Sequence, residues 1–444
     1  ALDKNSKWFE FVLFRELLNT QHYFDQYSDY ERNFDFKKYI EFLKEVKKDD
    51  MYLVNLSLAY LNLYEKNFDE SSKITQELLK NYPNSHEVQT LAYVLYLQQL
   101  KDIDIKTEND IYEKMINLTK NETNSYSIHD YTFVILEKLY LQKNDKLNAF
   151  LANHINYLDE AVFDLSLLEK FETFMKNPKD SKIKEYFAQI YAKNNKLTKE
   201  NNNFVLGELL INAKTKLLIN NLKFKDALDL NASILSEKVQ FNPFNGLIKG
   251  NNRSGKQDTM TLKEFLEKIL VIQNELQKNP KSVMDNYLFA NALYNLSYFG
   301  NSNILTTVYR SVYSFNDYDL QKQKIDLAIK HYTIAKDEAK EKEFKAKITY
   351  MLAKAELASY DIKYSKKGQD YYNKELDIYD LERFWYFGNE KVYNEYIKNN
   401  YGKYFDILKK DFSDTKYYNE LIKECANLRV YEKQNIKKPK PAMQ

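Results

Sequence analysis

The part of the chain that comes closest to a ligand-binding motif is the glycine-rich stretch Gly250–Gln257, GNNRSGKQ. In a phosphate-binding loop, two glycines bracket four residues and are followed by Lys and by a Ser or Thr whose hydroxyl holds Mg²⁺. Both glycines and Lys256 fit this spacing, but Gln257 replaces the hydroxyl. A buried strand should also precede such a loop, whereas Phe241-Asn-Pro-Phe244 predicts a turn. We therefore expect a loop between helix hairpins, with nucleotide binding as the disfavoured alternative.

The titratable and nucleophilic residues form no catalytic pattern. The single cysteine, Cys425, excludes an internal disulfide, and we expect it to be a small buried residue on a C-terminal helix. His331 lies beside Tyr332 next to an apolar helix stripe, and we expect it to be exposed. The sequence contains no G-x-S-x-G nucleophile context and no metal-ligand spacing among its histidines, which are His22, His86, His129, His154 and His331. We therefore predict a non-enzymatic protein with no catalytic residues, no metal and no cofactor.

The densest aromatic run is Phe384, Trp385, Tyr386 and Phe387. Four consecutive residues of a helix point all around it, so one core contact cannot use all four. Burial under an irregular connection is the favoured explanation. The alternative is an exposed face that supplies a large contact area to a ligand or a protein. These four residues are the candidate partner-binding site.

Composition narrows the fold class to all-α. The chain is 44% hydrophobic and 29% charged, an ordinary balance for a folded protein, and has only eight Gly and six Pro in 444 residues. So few turn formers disfavour β-sandwiches and loop-rich α/β folds. The net charge of +2 gives no field that would favour nucleic acid, and no apolar run approaches the roughly 20 residues of a membrane span.

Two successive amphipathic helices in Lys324–Tyr360 indicate how the chain is organised. Ala328, Tyr332 and Ala335 share one stripe of the first helix, where small residues allow a neighbouring helix to come close. The second helix has its own apolar stripe, made of Phe344, Ile348, Met351, Leu352 and Ala355. A hairpin this short cannot cover its own apolar face and must stack on neighbours, so the pattern predicts an α-solenoid.

The stretch Met51–Ser85 has Leu58 and Ala59 in one helix, Phe68 and Ser71 at the start of the next, and Pro83 past its end, and in this it resembles a tetratricopeptide repeat. Leu58 and Ala59 match the Leu and small residue of the first helix in that family, and Phe68 and Ser71 match the aromatic and small residue that open the second. Pro83 lies past its end, where the family also has Pro. The departures are Asn62, where an aromatic is usual, and Lys66, where Gly is common. The resemblance implies stacked tetratricopeptide-like hairpins and a surface that binds a partner protein.

Further hairpins and junctions extend the resemblance. Phe204–Asn220 with Phe224–Leu235 and Ser282–Ala358 match it, and Ser85 and Ser282 are expected N-caps, with Asp285 placed to complete a capping box. We expect a helical-repeat array over residues 1–240, an irregular loop over 241–261, a second array with inserted loops over 262–436, and a disordered tail over 437–444. Tyr298–Gln321 is one such inserted loop, and we expect the specific binding region in the C-terminal half.

The Lys/Asn/Tyr-rich composition and the helix junctions are similar to cell-envelope repeat proteins of Bacteroidota, including accessory proteins of secretion and gliding machinery. That resemblance implies a periplasmic or surface location, and a lipid anchor upstream of Ala1 belongs to the same expectation, with the cytoplasm as the alternative compartment. Because the chain starts at Ala1 without Met, we expect a mature or trimmed product. The alternative function is a carbohydrate receptor similar to starch-binding outer-membrane lipoproteins, which also contain such helices and recognise sugars with surface aromatics.

Overall fold

The computed structural model describes 14 parts of the chain and confirms the all-α class. The only strands in these parts are Thr198–Glu200 and Asn203–Val205, which form a short antiparallel pair. Contacts divide the chain into two compact units, Ala1–Leu158 with Lys170–Val205 and Asp159–Glu169 with Leu206–Gln444. The predicted arrays over 1–240 and 262–436 stay predictions. The described residues are 9, 13, 36–46, 51–120, 126–155, 164–177, 180–194, 198–200, 203–205, 207–239, 241–248, 259–306, 318–372 and 401–436.

The first unit contains antiparallel helix pairs joined by short connections. Its helices are α1 (Phe36–Val46), α2 (Tyr52–Tyr64), α3 (Phe68–Asn81), α4 (His86–Gln99), α5 (Ile105–Thr119), α6 (Tyr126–Gln142), α7 (Lys146–Asn153) and α9 (Lys182–Asn194), while α8 (Leu165–Lys176) crosses the division between the units. Helices that are neighbours in sequence pack on each other, as α2 does on α3 and α6 on α7.

The α2–α3 hairpin is held by the small residues that the sequence singled out. Ala59 and Ser71 are fully buried, and the Ser71 hydroxyl donates a hydrogen bond of 2.6 Å to the Ala59 carbonyl. Leu58 is buried beside them. A larger side chain at either small position would push the helices apart.

Three hairpins share one turn, which recurs at equal spacing along the chain. Lys66, Asn144 and Leu222 each adopt a left-handed conformation, with φ of 60°, 57° and 59°. This conformation closes a helix C-terminus because it lets the next main-chain N–H reach back to a free carbonyl. Those bonds join Asn67 to Asn62, Asp145 to Tyr140 and Lys223 to Leu218, at 2.8, 2.9 and 2.9 Å. Lys66 therefore takes over the backbone geometry for which Gly is usual.

The second unit continues the succession of packed helices. Its helices are α10 (Glu208–Asn220), α11 (Phe224–Asp229), α12 (Leu262–Lys278), α13 (Val283–Leu296), α14 (Tyr318–Glu338), α15 (Lys342–Tyr372), α16 (Lys403–Phe412), α17 (Lys416–Glu424) and α18 (Ala426–Ile436), with 3-10 turns at Ser233–Ser236 and Asn303–Thr306. The predicted helix over 224–235 is wrong beyond Asp229, because Asn231 turns left-handed with φ 49° and ends it. The predicted helix over 204–220 begins only at Glu208.

The apolar stripes of the organising hairpin are confirmed. Ala328, Tyr332 and Ala335 of α14 are fully buried, and α14 packs on both α13 and α15. Four of the five stripe residues predicted for α15 are buried, and Phe344 is half-buried. Ser85 and Ser282 cap α4 and α13 as predicted. The predicted capping box at Ser282 is wrong, because the Asp285 carboxylate accepts from the Ser282 hydroxyl while the Ser282 N–H donates to the Asn279 carbonyl at 3.1 Å.

Candidate functional site

Two of the sequence-predicted sites fall outside the described residues. These are the aromatic run Phe384, Trp385, Tyr386 and Phe387 and the glycine-rich stretch Gly250–Gln257. Both stay predictions. Residues 241–248, which precede the glycine-rich stretch, are described, and they lie in a polar site of the second unit.

Residues 241–248 form a non-helical segment laid against three helices of the second unit. Asn242 and Phe244 are buried, and the Asn245 N–H donates to the Asn242 carbonyl at 3.2 Å. This bond closes the turn that the sequence predicts around Pro243. Main-chain carbonyls that are buried in this way need donors, and the segment obtains them from side chains, not from a neighbouring strand.

Helix α13 supplies two of these donors, both asparagines. The Asn291 amide donates to the Phe244 carbonyl at 2.8 Å, and the Asn295 amide donates to the Pro243 and Asn245 carbonyls at 2.8 and 2.9 Å. Positions i and i+4 lie on one face of a helix, so both amides point at the same stretch of chain. A third residue fixes the orientation of Asn291, because the Tyr332 hydroxyl donates to its side-chain oxygen at 2.7 Å.

Helix α15 and the connection after α13 supply the remaining side-chain donors to residues 241–248. The Tyr350 hydroxyl donates to the Ile248 carbonyl at 3.0 Å, and the Lys354 ammonium donates to the Leu247 carbonyl at 2.9 Å. The Ser302 hydroxyl donates to the Phe241 carbonyl at 3.1 Å. Six of the eight carbonyls in the segment are thus bound by side chains. The donors, which we call the carbonyl-binding track, are Asn291, Asn295, Ser302, Tyr350 and Lys354.

The electrostatics of the track follow from its burial among tyrosines. The Lys354 nitrogen lies 5.0 Å from the ring centre of Tyr294 and 5.9 Å from that of Tyr350. Burial lowers the pKa of Lys354 to about 8, while the nearby Cys425 thiol acts in the opposite direction. Burial also raises the pKa of Tyr332 well above its ordinary value. The track therefore presents hydrogen-bond donors to a polypeptide backbone.

Helix α12 and the residue Gly246 add side-chain selectivity to this backbone contact. The Phe244 ring lies 5.5 Å from that of Phe265, and the Lys268 nitrogen lies 4.6 Å from the Phe244 ring centre. A Cβ atom at Gly246 would lie 2.4 Å from the Tyr287 hydroxyl. Position 244 of the segment thus accommodates an aromatic ring, and position 246 accommodates only glycine.

The predicted exposure of His331 is wrong. The ring is half-buried, and its Nδ1 lies 2.7 Å from the Asn286 side-chain oxygen. Packing on Phe289, at 4.9 Å between ring centres, excludes water from this side. Burial, and to a smaller extent the charge of Lys330, lowers the pKa of His331 to about 4.

Cys425 is buried as predicted, and it caps the end of α17 instead of lying within a helix. Its sulfur lies 3.6 Å from the Tyr350 hydroxyl. Within the described ranges, no group of three potential ligands is placed to hold a metal ion, and no helix there has the length and apolarity needed to cross a membrane.

The sequence contains a signal for the track in helix α13, which the search for apolar stripes did not consider. Asn291 and Asn295 interrupt the otherwise apolar run Leu288–Leu296 at helical spacing. A buried amide requires hydrogen-bond partners, so two such amides on one face indicate a polar segment opposite them. Nothing local identifies that segment as residues 241–248.

Searches with this chain against protein-family models, curated proteins and solved structures find no match.

Proposed function

We propose that this protein is a non-enzymatic scaffold of stacked tetratricopeptide-like hairpins that binds a partner protein, and that its second unit does so through an extended segment of that partner. The observation that carries the proposal is the carbonyl-binding track, in which five side chains bind six main-chain carbonyls of an eight-residue stretch.

Recognition through main-chain carbonyls supports a polypeptide ligand. Every peptide carries a carbonyl at each residue, so donors aligned along a helix face can hold an extended chain of almost any sequence. The donors on α13 and on α15 are each one helical turn apart and lie on rigid elements, which preserves their alignment. The α2–α3 turn and its Ala59–Ser71 contact support the tetratricopeptide-like part of the proposal.

The cell-envelope location is a further proposal that rests on the sequence resemblance alone. The precursor sequence upstream of Ala1 tests it, because a signal peptide or a lipidation motif there would support export. The alternative, a carbohydrate receptor, rests on the aromatic run Phe384–Phe387, which lies outside the described residues.

Photo-crosslinking of the full-length chain tests the scaffold function. Val271 lies on α12, one turn beyond Lys268, and is 59% exposed, while Val134 of the first unit is 60% exposed and serves as a matched control. Each is replaced in turn by p-benzoylphenylalanine, and the protein is irradiated in extract of its native cells. We expect one defined crosslinked protein at position 271, suppressed by excess unlabelled chain, and none at position 134.

The possible outcomes distinguish whether the chain binds a partner from which unit binds it. If neither position yields a crosslink that excess unlabelled chain suppresses, the scaffold proposal is wrong. A crosslink confined to position 134 would keep the scaffold and remove the partner from the second unit.

A further inference from the structure

We propose that residues 241–248 act as an internal ligand of the carbonyl-binding track, and that the partner segment that replaces them carries an aromatic residue two positions before a glycine. This inference rests on the proposed function, since it names the chemistry of the ligand for the same site.

The aromatic requirement comes from the environment of Phe244. Its side chain is only 2% exposed, and it is fixed between the Phe265 ring and the Lys268 ammonium. An aliphatic residue could fill the volume but would offer no ring face to the ammonium. The position therefore selects an aromatic side chain.

The glycine requirement comes from the Tyr287 hydroxyl. A Cβ atom at position 246 would lie 2.4 Å from that oxygen and 3.2 Å from the Asn291 side-chain oxygen. The Tyr287 ring cannot easily retreat, because it packs on Tyr332 and Phe344 with ring centres 6.2 and 5.0 Å away. Between the two selective positions, Asn245 is exposed, so the residue there is unrestricted.

The segment can leave the track without separating the elements that flank it. The Val239 N–H donates to the Met260 carbonyl at 2.7 Å, and the Leu262 N–H donates to the Glu237 carbonyl at 2.9 Å. These bonds close the base of the loop independently of the track. Residues 246–248 are only half-buried, and the bonds that bind this end come from the side chains of Tyr350 and Lys354.

An internal ligand competes strongly with an added one. A tethered segment acts at an effective concentration of roughly millimolar, so a free peptide should bind the wild-type chain weakly. Weakening the internal segment, with the track left intact, should therefore increase the affinity for a peptide of the same sequence.

The test is fluorescence anisotropy with a fluorescein-labelled peptide of residues 241–248, FNPFNGLI, added to the full-length chain. The chain is used as wild type, as Gly246→Ala, and as Asn245→Ala, a matched control one residue away with an exposed side chain. We expect Gly246→Ala to bind the peptide at least ten-fold more tightly than the wild type, and Asn245→Ala to behave like the wild type. Peptides with Ala in place of the second Phe or of the Gly should lose that binding.

Circular dichroism and thermal melting identify variants that fail to fold. If Gly246→Ala fails, Phe244→Leu, which stays apolar but loses the ring, replaces it. Equal or undetectable peptide binding by the folded variant and the wild type overturns the internal-ligand proposal. Equal binding of the Ala-containing peptides overturns the aromatic-x-Gly specificity. If a variant forms a dimer in which each copy places its residues 241–248 on the track of the other, the proposal that a partner protein occupies the track is wrong. None of these results changes the crosslinking outcome at Val271, so failure here and failure of the scaffold function are distinguishable.

Discussion

Two buried asparagines, one in each unit, use the same side chain in opposite ways. Asn62 of the first unit and Asn291 of the second are both buried asparagines on α-helices. The Asn62 amide donates to the Leu58 carbonyl of its own helix at 2.7 Å, whereas the Asn291 amide donates to the Phe244 carbonyl, far away in sequence, at 2.8 Å. A polar residue in a helical core is therefore either locally satisfied or a device for holding another part of the chain.

The same contrast extends to other buried polar residues. Thr75 of the first unit and Thr349 of the second donate to the carbonyl one turn back in their own helices, at 2.7 Å each. Asn295 and Tyr350 of the second unit donate to residues 241–248 instead, and Tyr191 of the first unit donates to the distant Leu151 carbonyl at 2.9 Å. In the first pattern, the hydroxyl donates to a carbonyl that already accepts a bond within its helix. In the second pattern, the side chain donates to a carbonyl that would otherwise be buried without a donor. Removing a polar residue of the second kind should therefore destabilise the protein more than removing one of the first kind.

The largest expected effect is the difference between Asn291→Leu and Asn62→Leu. Replacing Asn291 leaves the Phe244 carbonyl and the Tyr332 hydroxyl without partners, so we expect a loss of about 2–4 kcal/mol in the free energy of unfolding. Replacing Asn62 releases a carbonyl that remains within its helix ladder and the amide of the exposed Asn67, which water can satisfy, so we expect about 1 kcal/mol or less. Chemical denaturation of the full-length variants measures both. Equal losses would show that the two asparagines do not differ in this way.

Local patterns in the sequence predicted the parts of the fold that depend on local physics. The Ala328–Tyr332–Ala335 stripe, the caps at Ser85 and Ser282 and the turn at Pro243 each follow from spacing or backbone restriction within a few residues. The carbonyl-binding track could not be predicted in this way, because it joins Tyr350 and Lys354 to residues about a hundred positions earlier. Asn291 was detectable as a buried polar residue, but its acceptor was not.

A second prediction tests what the two units have in common. Ala328 of the second unit and Ala59 of the first are both fully buried between packed helices. Replacing either by Phe forces these helices apart, so we expect each substitution to cost about 1–3 kcal/mol. Thermal melting of Ala328→Phe and Ala59→Phe compares them, with the exposed Lys363→Ala as a control on α15. A wild-type melting temperature for either Phe variant would show that the helices there are not in close contact.

A third prediction uses pH to examine a further cross-helix contact of the second unit. The Asn286 amide donates to the Pro280 and Ser282 carbonyls, so its oxygen faces His331 and the His331 Nδ1 carries the proton. Because the pKa of His331 is lowered to about 4 from 6.5, the unfolded chain binds a proton at a pH where the folded chain does not. Stability should therefore fall as the pH drops from 6.5 to 4.

The His331→Gln variant isolates that contribution. The ring is only half-buried, so we expect it to account for about 1 kcal/mol of the acid-induced loss. Denaturation midpoints at pH 7 and at pH 4.5 should therefore differ less in the variant than in the wild type. An unchanged difference would assign the acid sensitivity to other groups.

The smallest expected effect concerns the turn that the two units share, and it acts in the stabilising direction. Lys66 and Leu222 hold left-handed φ angles of 60° and 59°, which cost a residue with a Cβ atom about 1–2 kcal/mol relative to Gly. Glycine gains more freedom in the unfolded chain, and this offsets roughly 0.5–1 kcal/mol of the benefit. Lys66→Gly and Leu222→Gly should each stabilise the protein by about 0.5–1 kcal/mol, with Lys66→Gly the cleaner case because its side chain is exposed.

Asn144→Gly is the matched control, since Asn tolerates this conformation and little should change. Denaturant midpoints measure all three, and a loss of stability in Lys66→Gly would show that its side chain contributes more than its backbone strain costs.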